Sequence, residues 1–179
     1  ARKAHMETNL EMEIVPQGLR VLIKDDQNRN MFERGSAKIM PFFKSLLVEL
    51  APVFDSLDNK IIITGHTDAM SYKSNIYNNW NLSGDRALSA RRVLEDAGMP
   101  QDKVIQVSAM ADQMLLDAKN PESAGNRRIE IMVLTQSASD TLYQYFGQHG
   151  EKVVQPLVDK LDKQKQVTSL RQPSAPVTH

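Results

Sequence analysis

Asp68, Arg86 and the pair Arg127-Arg128 are the residues of this chain whose types and spacing could do chemistry. Asp68 ends the run Gly65-His66-Thr67-Asp68, Arg86 lies within Asn79-x-x-Leu82-Ser83-x-x-Arg86-Ala87, and the two arginines follow Asn126. The apolar run Ile61-Ile62-Ile63 reads as a buried strand, so Asp68 should emerge at its carboxyl end, where α/β sheets commonly hold ligands. A carboxylate and an arginine then stand at opposite ends of one strand-loop-helix unit. That layout suits a small zwitterion: the carboxylate takes an ammonium, and the planar guanidinium fork holds a carboxylate by two parallel bonds. Plainer readings exist. Asp68 can cap a turn, Arg86 can pair at the surface with Asp85 or Asp68, and Arg127 and Arg128 can be solvated edge charges. Adjacent strand residues face opposite ways, so only one of the last two can reach the site.

His66 and Asp68 could together begin a metal site. The other histidines, His5, His149 and His179, lie near the termini or in an appended segment, and no His-Glu-x-x-His spacing occurs. The expectation is therefore no metal and no other cofactor, with His66 a structural residue that satisfies backbone groups at the strand end. Asn79 can pin the loop through its amide or cap the next helix, a role it can share with Asn81. Trp80 can stack on a ligand or anchor its own loop. Met110 and Met114 are expected to fill gaps in the core.

These residues need elements to position them. Leu10 to Val15 and Leu19 to Lys24 alternate across a Pro16-Gln17-Gly18 break, which predicts two short strands and a tight turn. Ile39, Phe43, Leu46, Leu50, Val53 and Leu57 recur at helical steps, predicting an amphipathic helix that begins after Ser36, with Pro41 in its first turn and Pro52 kinking or breaking it near the end. A strand over 60–64, a helix from about Leu82 to Ala97 that stops at Gly98-Met99-Pro100, and strands over 104–107 and 129–134 complete the pattern. Ala87, Ala90, Leu94 and Ala97 give the second helix a stripe of mostly small residues, which predicts close packing on the sheet. The predicted fold is an α/β two-layer sandwich, a mixed sheet with helices on one face.

Composition narrows the function. The 179 residues can bury a sizeable core, and 22 basic residues balance 22 acidic ones, so no overall field draws the chain to nucleic acid. There is no cysteine, hence no disulfide or thiolate metal site. No apolar run approaches the ~20 residues that span a bilayer. Residues 1–6 read as a remnant of cloning, 7–35 as N-terminal strands and linker, 36–135 as the binding core, 136–166 as a helical extension and 167–179 as a disordered tail. Residues 7–35 are expected either to pack permanently on the sheet or to act as a movable reach element.

The three motifs, in order, resemble the OmpA-like peptidoglycan-binding family over residues 20–135, and within it the MotB-type stator branch of the flagellar motor. The resemblance implies a non-catalytic anchor that grips diaminopimelate, a residue with an ammonium and a carboxylate on one carbon. Asp68 would take the ammonium and Arg86 the carboxylate, with Thr67, Asn79, Leu82, Ser83, Arg127 and Arg128 completing the peptidoglycan-binding set. It further implies a homodimer in the periplasm, tethered to the inner membrane by an upstream helix, with the membrane stator partner MotA and the flagellar basal body as partners of the full-length protein. The alternatives are a metal-dependent cell-wall hydrolase using His66 and Asp68, or an OmpA-like domain of another envelope protein. The chain departs from the family pattern in two places. The loop after Asp68 is longer than usual, with Ser71 where many members have glycine. Ala109-Met110-Ala111 replaces a usual Gly-x-Gly, which is expected to exclude backbone conformations that need glycine.

Overall fold

The computed structural model describes residues 9–70, 76–146 and 158–166. The expected remnant at 1–6, Ser71, His5, His149, His179 and the tail at 167–179 lie outside the described residues. Strands β1 (Leu10–Val15) and β2 (Gly18–Lys24) form a hairpin in which Val15 faces Gly18, leaving two residues to turn the chain. Helix α1 (Pro41–Asp55), β3 (Ile61–His66), α2 (Asn79–Asp96), β4 (Val104–Ala109), β5 (Arg128–Leu134) and α3 (Gln136–Phe146) follow. The chain divides into two compact units, Ala1–Gln136 and Ser137–His179. Within the second, residues 158–166 are helical and exposed.

The sheet runs β1-β2-β5-β3-β4, with only β3 and β4 parallel, joined through α2. Odd-numbered residues of β2, β3 and β5 point to one face. Val21, Ile23, Ile61, Ile63, Ile129, Ile131 and Val133 there pack with Phe43, Leu47 and Phe54 of α1 and with Ala87, Ala90 and Leu94 of α2. Strand alternation sends the even positions Arg20, Lys24, His66, Arg128 and Glu130 to the opposite face, where charges pair across strands. The predicted two-layer sandwich is therefore present. β2 pairs with β5 over seven positions and supplies Val21 and Ile23, both fully buried, to the core. Freeing residues 18–24 as a reach element would tear an internal strand from the sheet; in this structure the segment is packed.

α1 differs from its predicted start. It begins at Pro41, because proline disfavours the helical conformation at the preceding residue, and Met40 is extended (φ −75°, ψ 149°). Residues 31–40 instead fold back on themselves: Met40 N–H bonds Met31 O at 2.8 Å and Glu33 N–H bonds Lys38 O at 3.0 Å. Pro52 does not break the helix, which continues to Asp55, and it lies on the exposed side.

α2 starts three residues before the predicted Leu82. Asn78 caps it, accepting from Trp80 N and Asn81 N, while the Asn81 side chain accepts from Asn78 N. The small-residue stripe allows close packing, and Gly65 carries it furthest. A methyl group at Gly65 would lie 1.9 Å from Ser83 O. The fully buried Ser83 hydroxyl in turn accepts Ala111 N–H at 3.1 Å, and Ala111 O accepts Thr67 N–H at 2.8 Å. Ala111 sits at φ 50°, which corrects the sequence expectation: the segment adopts a left-handed conformation without glycine, held there by these two bonds. Met114 is 57% exposed and is not a core filler.

This corner gives a two-sided prediction. Gly65→Ala should destabilise the fold by roughly 2–3 kcal/mol, because backbone must move. Ala111→Gly should stabilise it by up to about 1 kcal/mol by removing left-handed strain. Urea unfolding midpoints at constant slope read both.

Candidate functional site

Asp68 follows the end of β3, a buried residue with both carboxylate oxygens engaged. Oδ1 accepts Met70 N–H at 3.0 Å and Oδ2 accepts Arg127 Nη1 at 2.6 Å. Arg127 also reaches a residue that sequence reading missed, Asp25. Arg127 Nε donates to Asp25 Oδ2 at 2.9 Å, while Asp25 Oδ1 accepts Met31 N–H at 2.6 Å. One guanidinium thus bridges two buried carboxylates. Strand register explains the meeting: Lys24 faces Arg128, and the ladder extends one step further, with Asp25 N–H bonding Arg127 O at 3.1 Å.

Arg86, on the inward face of α2, pairs with neither Asp85 nor Asp68. Asp85 instead accepts the Tyr77 hydroxyl at 2.7 Å. The Arg86 Nε donates to Ser36 O at 2.8 Å and its guanidinium lies 4.9 Å from the Phe32 ring centre. The folded-back segment 31–40 therefore covers the arginine with its own carbonyls. Asp25, Met31, Phe32, His66, Arg86, Arg127 and Arg128 line a small pocket with room for about one water.

Electrostatics in this cluster are balanced. Burial pushes the Asp25 carboxyl above its usual range, opposed by the Arg127 and Met31 bonds. Burial lowers the Arg86 guanidinium, countered mainly by Asp25. For Arg127 burial also works against the charge, yet the bonds to Asp25 and Asp68 outweigh it and raise the group. Two acids and two arginines leave no net charge to neutralise. A zwitterion would leave that balance unchanged.

The remaining predicted site residues have supporting positions. Thr67 is buried and its hydroxyl bonds Asp68 O. Leu82 and Ser83 are buried where α2 meets the sheet. Asn79 donates to Met70 O at 3.1 Å, pinning the loop after Asp68 and leaving the cap to Asn78. Trp80 is half exposed. Arg128 turns away from Asp68 to Glu130, Met114 O and Asn126 O and is 4% exposed, so it is not a solvated edge charge. Asn126 is fully buried and donates to the carbonyls of Asp117, Asn120 and Pro121. Pro121 O accepts Ala69 N–H, so Asn126 braces the loop beside Asp68.

The OmpA family model matches residues 31–128, more than half of the chain and all of the site except Asp25. The chain belongs to the OmpA family. It is 91% identical over 96% of its length to a protein of Escherichia coli K12 named as a truncated flagellar export/assembly protein, LafU, and spans 81% of that relative. It is 38% identical over 93% of its length to Motility protein B of the same strain, but spans only 54% of that longer protein. Among solved structures, the cell wall anchor of the type VI secretion system from Pseudomonas aeruginosa superposes with a TM-score of 0.62 at 23% identity, covering 75% of this chain and 94% of the other. At that identity the likeness speaks for the OmpA-like fold.

His66 and Asp68 do not converge as metal ligands. In this structure the Asp68 carboxylate is occupied by the Arg127 guanidinium and not by a contact with His66. Among the described residues no group of three or more acids and histidines is placed to hold a metal ion. His66 does not serve backbone groups as expected; its Nε2 lies 3.3 Å from Glu130 Oε2 instead. Burial raises the Glu130 carboxyl, but His66, Arg20 and Arg128 together bring it down to about 2. A carboxyl depressed on folding stabilises the fold above its ordinary value of 4.5 and loses that contribution as pH falls toward 2. Glu130→Gln should therefore flatten the loss of stability across this acid range by roughly 1–3 kcal/mol, read by urea unfolding at stepped pH. An unchanged acid profile would show that the opposite-face cluster is not coupled to folding.

Proposed function

We propose that this domain is a non-catalytic anchor that grips the diaminopimelate of peptidoglycan stem peptides. The balanced quartet Asp25, Asp68, Arg86 and Arg127 at the carboxyl end of the sheet carries the reading. A ligand ammonium replaces the Arg127 group on Asp68, and the ligand carboxylate takes guanidinium donors now spent on Asp25, Asp68 and the carbonyls of Ser36 and Glu33. Each exchange swaps one charge-assisted bond for another, so the net gain is small. Two such contacts at roughly 1.5–3 kcal/mol each, less the cost of ordering the ligand, give a dissociation constant no better than about 0.1 mM. Useful anchoring then needs multiplicity, which a homodimer beside a repetitive polymer supplies.

The similarity to Motility protein B and to a flagellar relative supports a place in a flagellar stator. In that setting the domain stands in the periplasm, an upstream helix tethers it to the inner membrane, and it fixes a MotA-type ion-driven unit to the wall near the basal body. Asp25, Asp68, Arg86 and Arg127 form no nucleophile and base pair, which supports binding without turnover.

The domain should pellet with purified sacculi and release as salt rises, because screening weakens its contacts. Asp68→Asn keeps the acceptor for Met70 N–H, and Arg86→Lys keeps the charge but loses the fork; each should reduce pelleting roughly tenfold or more. Folded variants that pellet as the parent does would refute the site.

A further inference from the structure

Asp25 belongs to no motif of the chain, yet it is held as firmly as Asp68. It is 5% exposed, fixed through Oδ1 by Met31 N–H and joined through Oδ2 to Arg127 Nε. Asp68 holds the other end of the same guanidinium, through Nη1 at 2.6 Å. The two bonds are not equivalent. Nε sits at the base of the guanidinium and Nη1 at its tip, so releasing Asp68 while keeping Asp25 leaves the group hinged in the pocket with its fork free.

Resting on the diaminopimelate reading above, we propose that Asp25 is a positioning residue that makes Arg127 a hinged internal stand-in for the ligand. In the unliganded site the Arg127 tip occupies Asp68 as an ammonium would. When the ligand ammonium displaces it, Asp25 retains Nε and turns the freed Nη donors toward the ligand carboxylate, beside Arg86. Asp25 thereby sets specificity for a centre that carries both charges over one that carries an ammonium alone. Without the Asp25 charge, Asp68 holds Arg127 by itself. The ammonium then meets a tighter competitor, and the displaced arginine is no longer kept near the carboxylate.

The probes are the tripeptide L-Ala-γ-D-Glu-meso-diaminopimelate and its L-lysine counterpart, which lacks only the distal carboxylate. Binding to the 179-residue chain is followed by amide chemical shifts. The parent should prefer the diaminopimelate peptide by roughly tenfold or more, the worth of one charge-assisted contact. Asp25→Asn retains an oxygen for Met31 N–H and should cut that preference to within about threefold. A merely structural role would weaken both peptides equally and leave their ratio unchanged. Full preference in Asp25→Asn overturns the hinge while leaving the Asp68 site standing, whereas a parent without preference overturns the zwitterion reading and the hinge together. A second readout needs no variant: in the parent, the diaminopimelate peptide should shift the Arg127 Nη signals and leave the Nε signal nearly in place. Equal movement of Nε would contradict retention by Asp25.

Discussion

The Asp25–Arg127–Asp68 bridge is the interaction on which the functional end of this domain depends. Holding a half-buried arginine between two buried carboxylates withdraws their charges from water, a cost that only close geometry and further hydrogen bonds offset. Here the offsets are visible. Asp25 takes a second bond from Met31, Asp68 takes one from Met70, and Arg86 supplies a further positive charge nearby. Removing one member leaves a charge of opposite sign less well compensated, so each member supports the others. The same logic makes it exchangeable. A ligand that brings one charge of each sign can replace an internal contact without leaving a charge bare.

The rest of the domain serves to bring these residues within reach. β2 and β5 must pair in one register for Asp25 to face Arg127, and the seven-position ladder fixes that register. β3 must end close under α2 for Asp68 and Arg86 to share a site. Gly65 permits that approach, and Ser83 locks it by holding the left-handed Ala111. Asn126 and Asn79 brace the chain on both sides of Asp68. The Met40-Pro41 step delays α1 and releases residues 31–40 to cover Arg86. Local steric rules therefore set how far the arginine is closed off from solvent.

Most of the architecture was legible from the order of residues. Alternation located the strands, and a small-residue stripe announced the tight seat of α2. The motif residues Asp68 and Arg127 do meet. What escaped depends on pairing between distant segments. Nothing local distinguishes Asp25 from its neighbour Asp26, since its role comes from standing opposite Arg127. Alternation required that Arg127 and Arg128 diverge, but only the register decides which turns to the site. Ala111 was misjudged because the bonds that hold it come from Ser83 and Thr67, far away in sequence. Pro41 is compatible with the first turn of its helix, but it also holds Met40 extended, which delays the start of α1.

The central claim is that the ligand position is filled by the protein's own arginine until a zwitterion exchanges with it. A crystal structure of the domain with a diaminopimelate muropeptide tests this directly. The account predicts the ligand ammonium about 3 Å from the Asp68 carboxylate, with Arg127 off Asp68 and still bonded to Asp25. A muropeptide bound with the Asp68–Arg127 pair intact, or bound elsewhere on the domain, would contradict it.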